Sequence, residues 1–556
     1  MAPPYDVAIV GFGPSGAVAA ALLGQAGHRV FVCDRTAEVY PLPRAIALDH
    51  EIMRLFQRLG IAQQIEPFTE PFTDSCFHGV DGRLIRRMTV LPAPYPQAWS
   101  PSLVFSQPPV EAVLRAAVQR CPTVTLALGV AVVGLSRSAE ADAAGAAAAA
   151  TLRLSDGQQV QARYVIGCDG ASSTARGLAG LALDDLGFDG PWLVVDVLAN
   201  AQGLAKLPAT SMQYCEPARP SSFVIGPKNH RRWEISLQPG EDPVQAATPE
   251  GTWALLRRWI TPDDGQLWRQ AAYRFHALVA PQWRAGRVFI AGDAAHQQPP
   301  FLGQGMCQGL RDVANLAWKL DAVLRGQISG AAADRLLDSY GTERGAHVRA
   351  LTGKLKAIGA LIGERDLALA QARDAQLLAQ AGGTVQATPR QDVLPKLSGG
   401  LLAREPSAAR GSLFPQPWLW RDGQRVRMDT VLGGGWRLLL RDAAAGPTRL
   451  PVLASTSTSA SASASASTSA AAAAAAPAPT PSPALVAALA PALAGLRTLA
   501  LADAHEADGV LAAWFDKHHC GAALVRPDHC VYGTAADAAG AATLLAEAGA
   551  ALGQAA

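Results

Sequence analysis

Cysteine is scarce and scattered in this chain: eight among 556 residues (Cys33, Cys76, Cys121, Cys168, Cys215, Cys307, Cys520, Cys530), with no CxxC pair. That pattern excludes a disulfide-stapled scaffold and a zinc site, and predicts reduced thiols in a cytoplasmic protein. An excess of one charge is also missing. The formal net charge is +2, so nothing electrostatic argues for nucleic acid or an anionic membrane as partner. Long hydrophobic runs are absent, because the alanine tracts are too weakly apolar to span a bilayer. The first apolar run lacks a basic lead and is broken by glycines, which predicts no signal peptide. What remains, 49% hydrophobic and 17% charged residues, fits a soluble globular protein of two or three domains.

Residues 287–320, RVFIAGDAAHQQPPFLGQGMCQGLRDVANLAWKL, organise the reading. A short apolar strand ends at Gly292-Asp293, and a Pro/Gly-rich turn leads into a helix starting near Gly305. A carboxylate past a strand end can hold a polyol. The unpaired N–H groups of a helix start favour an anion. An ordinary strand, loop and helix would look similar, so a second stretch has to decide. Residues 5–34, YDVAIVGFGPSGAVAAALLGQAGHRVFVCD, supply strand, Gly11, Gly13 and Gly16 in GxGxxG spacing, a small-residue helix, and a strand ending at Asp34. Gly11 permits the turn, Gly13 admits a pyrophosphate, and Gly16 lets helix pack on strand. Asp34 falls about 20 residues on, where an acid can bond a ribose. This fingerprint alone does not separate FAD from NAD. The Gly292-Asp293 element does, because NAD has no ribityl chain for it to hold.

Further candidates follow along the chain. Arg44, after a proline-ordered turn, could pair with a pyrophosphate or be a solvated loop residue; Gln107 could be a cofactor contact or a cap. RYVIGCDGASSTAR, residues 163–176, makes a third glycine/aspartate corner with Asp169 and Arg176. Residues 191–237 turn to β-rich alternation, predicting an antiparallel sheet inserted between two halves of the nucleotide fold. A pocket between them suits a substrate. Tyr214, His230, Arg231, Arg232 and Trp233 are candidates there by residue type, against the plainer reading of each as sheet surface or core. Helices are expected to about Gln380, followed by a Gly/Pro/polar linker and an α/β tail of thioredoxin-like order without its CxxC. Residues 138–149 read as a low-complexity hairpin insertion, and residues 454–483 as a disordered surface loop.

On GFGPSG (residues 11–16), CDGASSTAR (residues 168–176) and GDAAHQQPPFLGQGMCQGLRDVANLAWKL from Gly292, the chain resembles FAD-dependent aromatic hydroxylases of the p-hydroxybenzoate hydroxylase fold. PRAIALDHE, RPSSFVIGPKNHRRWEISLQPGE and WFDKHHCGAALVRPD look most like 3-(3-hydroxyphenyl)propionate hydroxylases. Asp34 stands where that family more often has Glu, and the Ala/Ser insertions are a departure. The resemblance implies an α/β fold: a Rossmann-like FAD domain (residues 1–186 and 281–381) with an inserted β-sheet substrate domain (187–280). A linker (382–412) and a thioredoxin-like C-terminal domain (413–556) follow.

By the same resemblance, Gly11, Gly13, Gly16, Asp34, Arg35, Arg44, Gln107, Gly292 and Asp293 surround the FAD. Asp34 holds the ribose, and Asp293 the ribityl and pyrophosphate region. Gly305 and Met306 face the flavin pyrimidine, and Pro299 and Pro300 shape the wall near the reactive carbon. Asp169 and Arg176 serve FAD and the transient NADH or NADPH. His296 or His230 is a candidate base for the phenol proton, with Tyr214 and Arg232 as further substrate contacts. The implied reaction is ortho-hydroxylation of a phenol to a catechol with O2. The best guess is 3-(3-hydroxyphenyl)propionate to its 2,3-dihydroxy product. Another phenol of resorcinol or polyketide type, a non-oxygenating flavoprotein reductase or oxidase, and a non-enzymatic nucleotide-binding scaffold are the alternatives. No metal is expected, and a homodimer is the candidate assembly.

Overall fold

The computed structural model describes residues 3–137, 149–441, 493 and 495–553. The Ser/Ala-rich stretch expected to be a disordered loop lies outside the described residues, as does nearly all of the 138–149 insertion. The strands flanking that insertion, Val132–Arg137 and Ala150–Leu154, pair antiparallel as a hairpin.

Apolar, β-branched strands build the first sheet. Tyr5–Val10 pairs in parallel with Val30–Asp34 on one side and Gln159–Gly167 on the other, and Val124–Leu128 and Val288–Ile290 extend it outwards. The register sets Val10 beside Gly167 and Cys33, and Gly167 beside Ile290. The three corners that follow these strands therefore lie side by side at the carboxyl edge, where ligands of such sheets bind. Backbone bonds continue across them: Gly11 N–H to Cys33 C=O at 2.7 Å, Cys168 N–H to Val10 C=O at 2.7 Å, and Ala291 N–H to Gly167 C=O at 2.9 Å. Helix Pro14–Gln25 leaves the first corner and packs against helix Gly305–Leu324.

A second sheet stands beside the first. Its central strands, Gly265–Val279, Asp184–Ala199, His230–Ser236, Ser221–Ile225 and Ser211–Tyr214, are antiparallel neighbours, as alternation predicts. Strands Ser75–His78 and Leu84–Thr89 from the N-terminal half extend it, the first joining Ser211–Tyr214 in parallel. One face packs Leu193, Val195, Phe223, Trp233 and Ile235 under the helix Pro249–Leu256. The opposite face looks back towards the first sheet's carboxyl edge.

The stretch read as a linker is built into this body. Gln386–Pro389 adds a parallel strand to Leu84–Thr89, and the following turn buries Arg390 and Val393. Its polar composition hid this, because backbone groups make the pairing. The tail forms a mixed four-stranded sheet, Arg497–Ala500, Arg437–Leu440, Ala522–Val525, Val531–Ala535, with the first pair parallel and the others antiparallel. That is a thioredoxin-like order. A short helix, Met428–Leu432, precedes the Arg437 strand, and Asp429 in its first turn is gripped by Arg54 and Arg437. No described helix is long and apolar enough to cross a membrane, and all eight thiols are unpaired.

Candidate active site

The carboxyl edge of the first sheet and the open face of the second enclose a cavity of about 540 Å³, within the range of small-molecule and cofactor sites. At one end, Gly11 (φ +100°) makes a turn no side chain could share: a Cβ there would sit 2.4 Å from the Cys168 carbonyl oxygen, and one on Gly16 would sit 1.9 Å from that of Gly11. A Cβ on Gly13 would meet open space. Gly13 caps the Pro14–Gln25 helix with no side chain bonded to the helix start, so its N–H groups face the cavity for an anion. Helix Gly305–Leu324 begins equally uncapped by a side chain, with Gly305 and Met306 in the wall. Asp293 projects into the space with no side-chain hydrogen bond among the described residues. The protein packed around it raises its carboxyl above the usual range, Asp312 adding repulsion that His296 and Arg44 only partly offset. Two open helix starts, a bare glycine and an unpartnered acid fit a dinucleotide with a polyol chain.

Several of the other expected contacts lie around this cavity rather than in it. Asp34 accepts from the Phe12 N–H at 2.6 Å and from Thr36 at 2.7 Å, which fixes the glycine turn, and Arg35 is exposed. Asp169 accepts from the Ser173 hydroxyl at 2.5 Å and the Ala175 N–H at 3.0 Å, and Arg176 donates to the Ala294 and Ala171 carbonyls at 3.0 Å. Asp169 therefore braces its own corner and Arg176 ties that corner to the one at Gly292, while Cys168, Gly170 and Ala171 line the space. The Gly292 N–H donates to Asp312 at 2.9 Å. Gln107 is the first residue of its helix, and its side-chain Oε1 accepts from the Arg44 and Ala45 N–H groups at 3.1 and 2.6 Å and holds that loop on the wall. Pro300 lines the cavity, but Pro299 does not.

The substrate-side expectations need more correction. Tyr214 points away from the cavity, against Trp259 and under Arg258, because its neighbour Gln213 takes the inward position. His230 is buried outside the lining, its Nε2 2.7 Å from Asp196 and its ring edge-on to Trp268. Burial pushes this imidazole down, and Asp196 offsets that only in part. Trp233 belongs to the core of the sheet's other face. Arg232 does line the cavity, but its guanidinium is tied to Asp196 at 2.7 Å and to the Arg44 carbonyl at 2.7 Å. Burial would raise Asp196; Arg232 and His230 hold it down to about 2. His296 reaches the wall, yet its Nε2 is 2.8 Å from Asp312 and its ring stacks on Trp283.

Sequence reasoning missed the groups that face the space most freely. Ser222 donates to Gln213 at 2.5 Å, and Phe72, Val224, Phe275 and Phe301 add apolar wall. Glu234 lines the cavity while only 6% exposed, with no hydrogen bond to its carboxylate among the described residues. Burial pushes that carboxyl up to about 7, Asp196 adding to the effect while Arg232 and Arg269 oppose it. Strand parity was the available signal: Glu234 shares a face with Arg232, as Gln213 does not with Tyr214. Arg390, from the stretch read as linker, gave no such signal.

A family model described as "FAD binding domain" matches residues 4–354, and an "HcaD C-terminal domain" model matches residues 411–550. The chain belongs to the FAD-dependent aromatic hydroxylases. It is 37% identical over 541 residues to a "Probable NADH-specific resorcinol 4-hydroxylase" of Rhodococcus jostii, covering 96% of this chain and 92% of the relative. It is 32% identical over 553 residues to a "3-(3-hydroxy-phenyl)propionate/3-hydroxycinnamic acid hydroxylase" of Mycolicibacterium smegmatis, covering 95% and 90%. The flavin-dependent monooxygenase PieE, solved with FAD and substrate, shares the fold over 100% of both chains, with a TM-score of 0.77 at 23% identity. This hydroxylase is thus an oxygenating flavoenzyme.

Proposed function

We propose that this hydroxylase adds one atom of O2 to the ring carbon ortho to a phenolic hydroxyl, using NADH. Phenol, NADH, H⁺ and O2 give catechol, NAD⁺ and water. The observation that carries this reading is the shared cavity, lined from one side by Gly13, Asp293, Gly305 and Met306 and from the other by Gln213, Ser222 and Glu234. FAD, when bound, supplies the hydride acceptor and the oxygen-activating ring. The helix start at Gly13 would hold the pyrophosphate with Arg44, Asp293 the ribityl hydroxyls, and the N–H groups at Gly305 the negative charge of the reduced pyrimidine.

The phenol loses its proton as its ring is attacked, and we assign the acceptor role to Glu234 in place of His230 or His296. A carboxyl near 7 is divided between acid and base at neutral pH, which suits proton transfer. The two histidines are bound to Asp196 and Asp312. Phe72, Val224 and Phe301 keep water from the reacting ring. The substrate we favour is 3-(3-hydroxyphenyl)propionate, after the relatives so named. Resorcinol is the second reading, supported by the Rhodococcus relative's coverage of nearly the whole chain. Purified enzyme with FAD should oxidise NADH faster with the true phenol and release one catechol per NADH. Oxidation that yields only H2O2 with every phenol tried would refute the reading.

A further inference from the structure

Four arginines line the cavity, and three of them are engaged or open to solvent. Arg232 is bound to Asp196; Arg274 pairs with Asp189 on an exposed rim at 2.6 Å; Arg44 is half-exposed and 4.0 Å from Glu111. Arg390 differs from all of them. It is only 9% exposed and has no carboxylate within ion-pair distance among the described residues. Its guanidinium meets the Leu302 carbonyl at 3.0 Å and the Ser75 hydroxyl at 3.5 Å, and lies 4.1 Å above the Phe72 ring. The acid acting most strongly on it, Asp49, is already held by Arg311 at 2.6 Å. Burial lowers the guanidinium only to about 10, so it stays charged at neutral pH. A buried cation without an anion is costly, and one facing a ligand cavity has its missing partner on the ligand.

We propose that Arg390 binds a carboxylate carried on the side chain of the phenol, and so selects an anionic substrate over a neutral one. This rests on the phenol-hydroxylase reading above. The sheet supports the division of labour. Arg390 bonds Ser75, whose strand is followed in order by the strands of Gln213, Ser222 and Glu234. The register carries Ser75 across to Arg232, with Glu234 two residues farther along that strand, so three inter-strand spacings and this offset put the backbones of Ser75 and Glu234 about 16 Å apart. The acid that meets the phenol and the cation that meets the side group thus stand apart on one cavity, whose lining between polar groups includes Phe72, Val224, Phe275 and Phe301. A carboxylate on a short chain reaches from one to the other, whereas a compact diphenol leaves Arg390 unpaired.

The test compares 3-(3-hydroxyphenyl)propionate with 3-ethylphenol, which has the same ring and no charge, in wild type, Arg390→Lys and Arg390→Met. Dissociation constants come from perturbation of the bound-flavin spectrum, and kcat/KM from catechol formed. The preference for the acid over the neutral phenol should fall by roughly 30-fold or more in Arg390→Met, mostly through Kd and KM. Arg390→Lys should recover part of it. Equal losses on both phenols, or a wild-type preference for the neutral one, would overturn the proposal. A melting temperature lowered alongside equal losses would mark Arg390 as a purely structural tie between Leu302 and Ser75. If no phenol gives a catechol, the hydroxylase reading itself fails, a different outcome from hydroxylation indifferent to Arg390.

Discussion

Two buried glutamates show how the same residue is put to different use. Glu343, at the junction with the C-terminal domain, accepts from Lys319 at 2.8 Å, Arg526 at 2.7 Å, Asn315 at 2.7 Å and the Leu401 N–H at 2.9 Å. Burial works against its charge, yet Arg526 and Lys319 hold its carboxyl down to about 2. Glu234, as deeply enclosed but facing the cavity, has no such partners and sits near 7. A second junction repeats the first pattern, with Asp429 held between Arg54 and Arg437 at 2.6 Å. Charges that join the domains are saturated by protein; Glu234, Asp293 and Arg390, around the cavity, are left for something else.

Breaking the saturated side should have the largest effect. Glu343→Ala strands Lys319 and Arg526 in the interior and should cost about 3–5 kcal/mol of stability, read from denaturant melts. Next, Glu234→Gln should lower kcat by about 10²-fold and remove the rise in rate through pH 7 expected of wild type. Its stability should change in a defined direction. The folded carboxyl holds its proton more tightly than the unfolded one, so wild-type stability falls as pH rises from about 4.5 to 7, and the variant should lack that fall. Asp293→Ala should weaken FAD about tenfold, measured by flavin fluorescence, through the lost hydroxyl partner. Tyr214→Phe sharpens the contrast from the other direction: facing away from the cavity, it should leave kcat and KM within about twofold.

The sequence made the corners legible and the cavity's far wall obscure. Gly11 and Gly16 announce themselves because local backbone contact forbids any other residue there, and the parallel strands then bring Gly11, Asp169 and Gly292 together. The substrate sheet's alternation was visible, but both of its faces are lined by protein, so residue type favoured Tyr214 where position favoured Gln213. His296 looked like a free base until Asp312, a helical residue 16 positions on, closed on it. Arg390 was invisible because a polar, glycine-rich segment reads as solvent-exposed, whereas this one crosses the sheet edge and buries its charge under Phe72.

The central claim is that one cavity holds the flavin and the phenol against each other. Titrating 3-(3-hydroxyphenyl)propionate into the purified FAD-bound enzyme and following the visible flavin spectrum tests it most directly. The account predicts one FAD per chain and a saturable spectral shift whose dissociation constant is unchanged by Tyr214→Phe. Bound FAD whose spectrum ignores every phenol, or a chain that takes up no FAD, would contradict it.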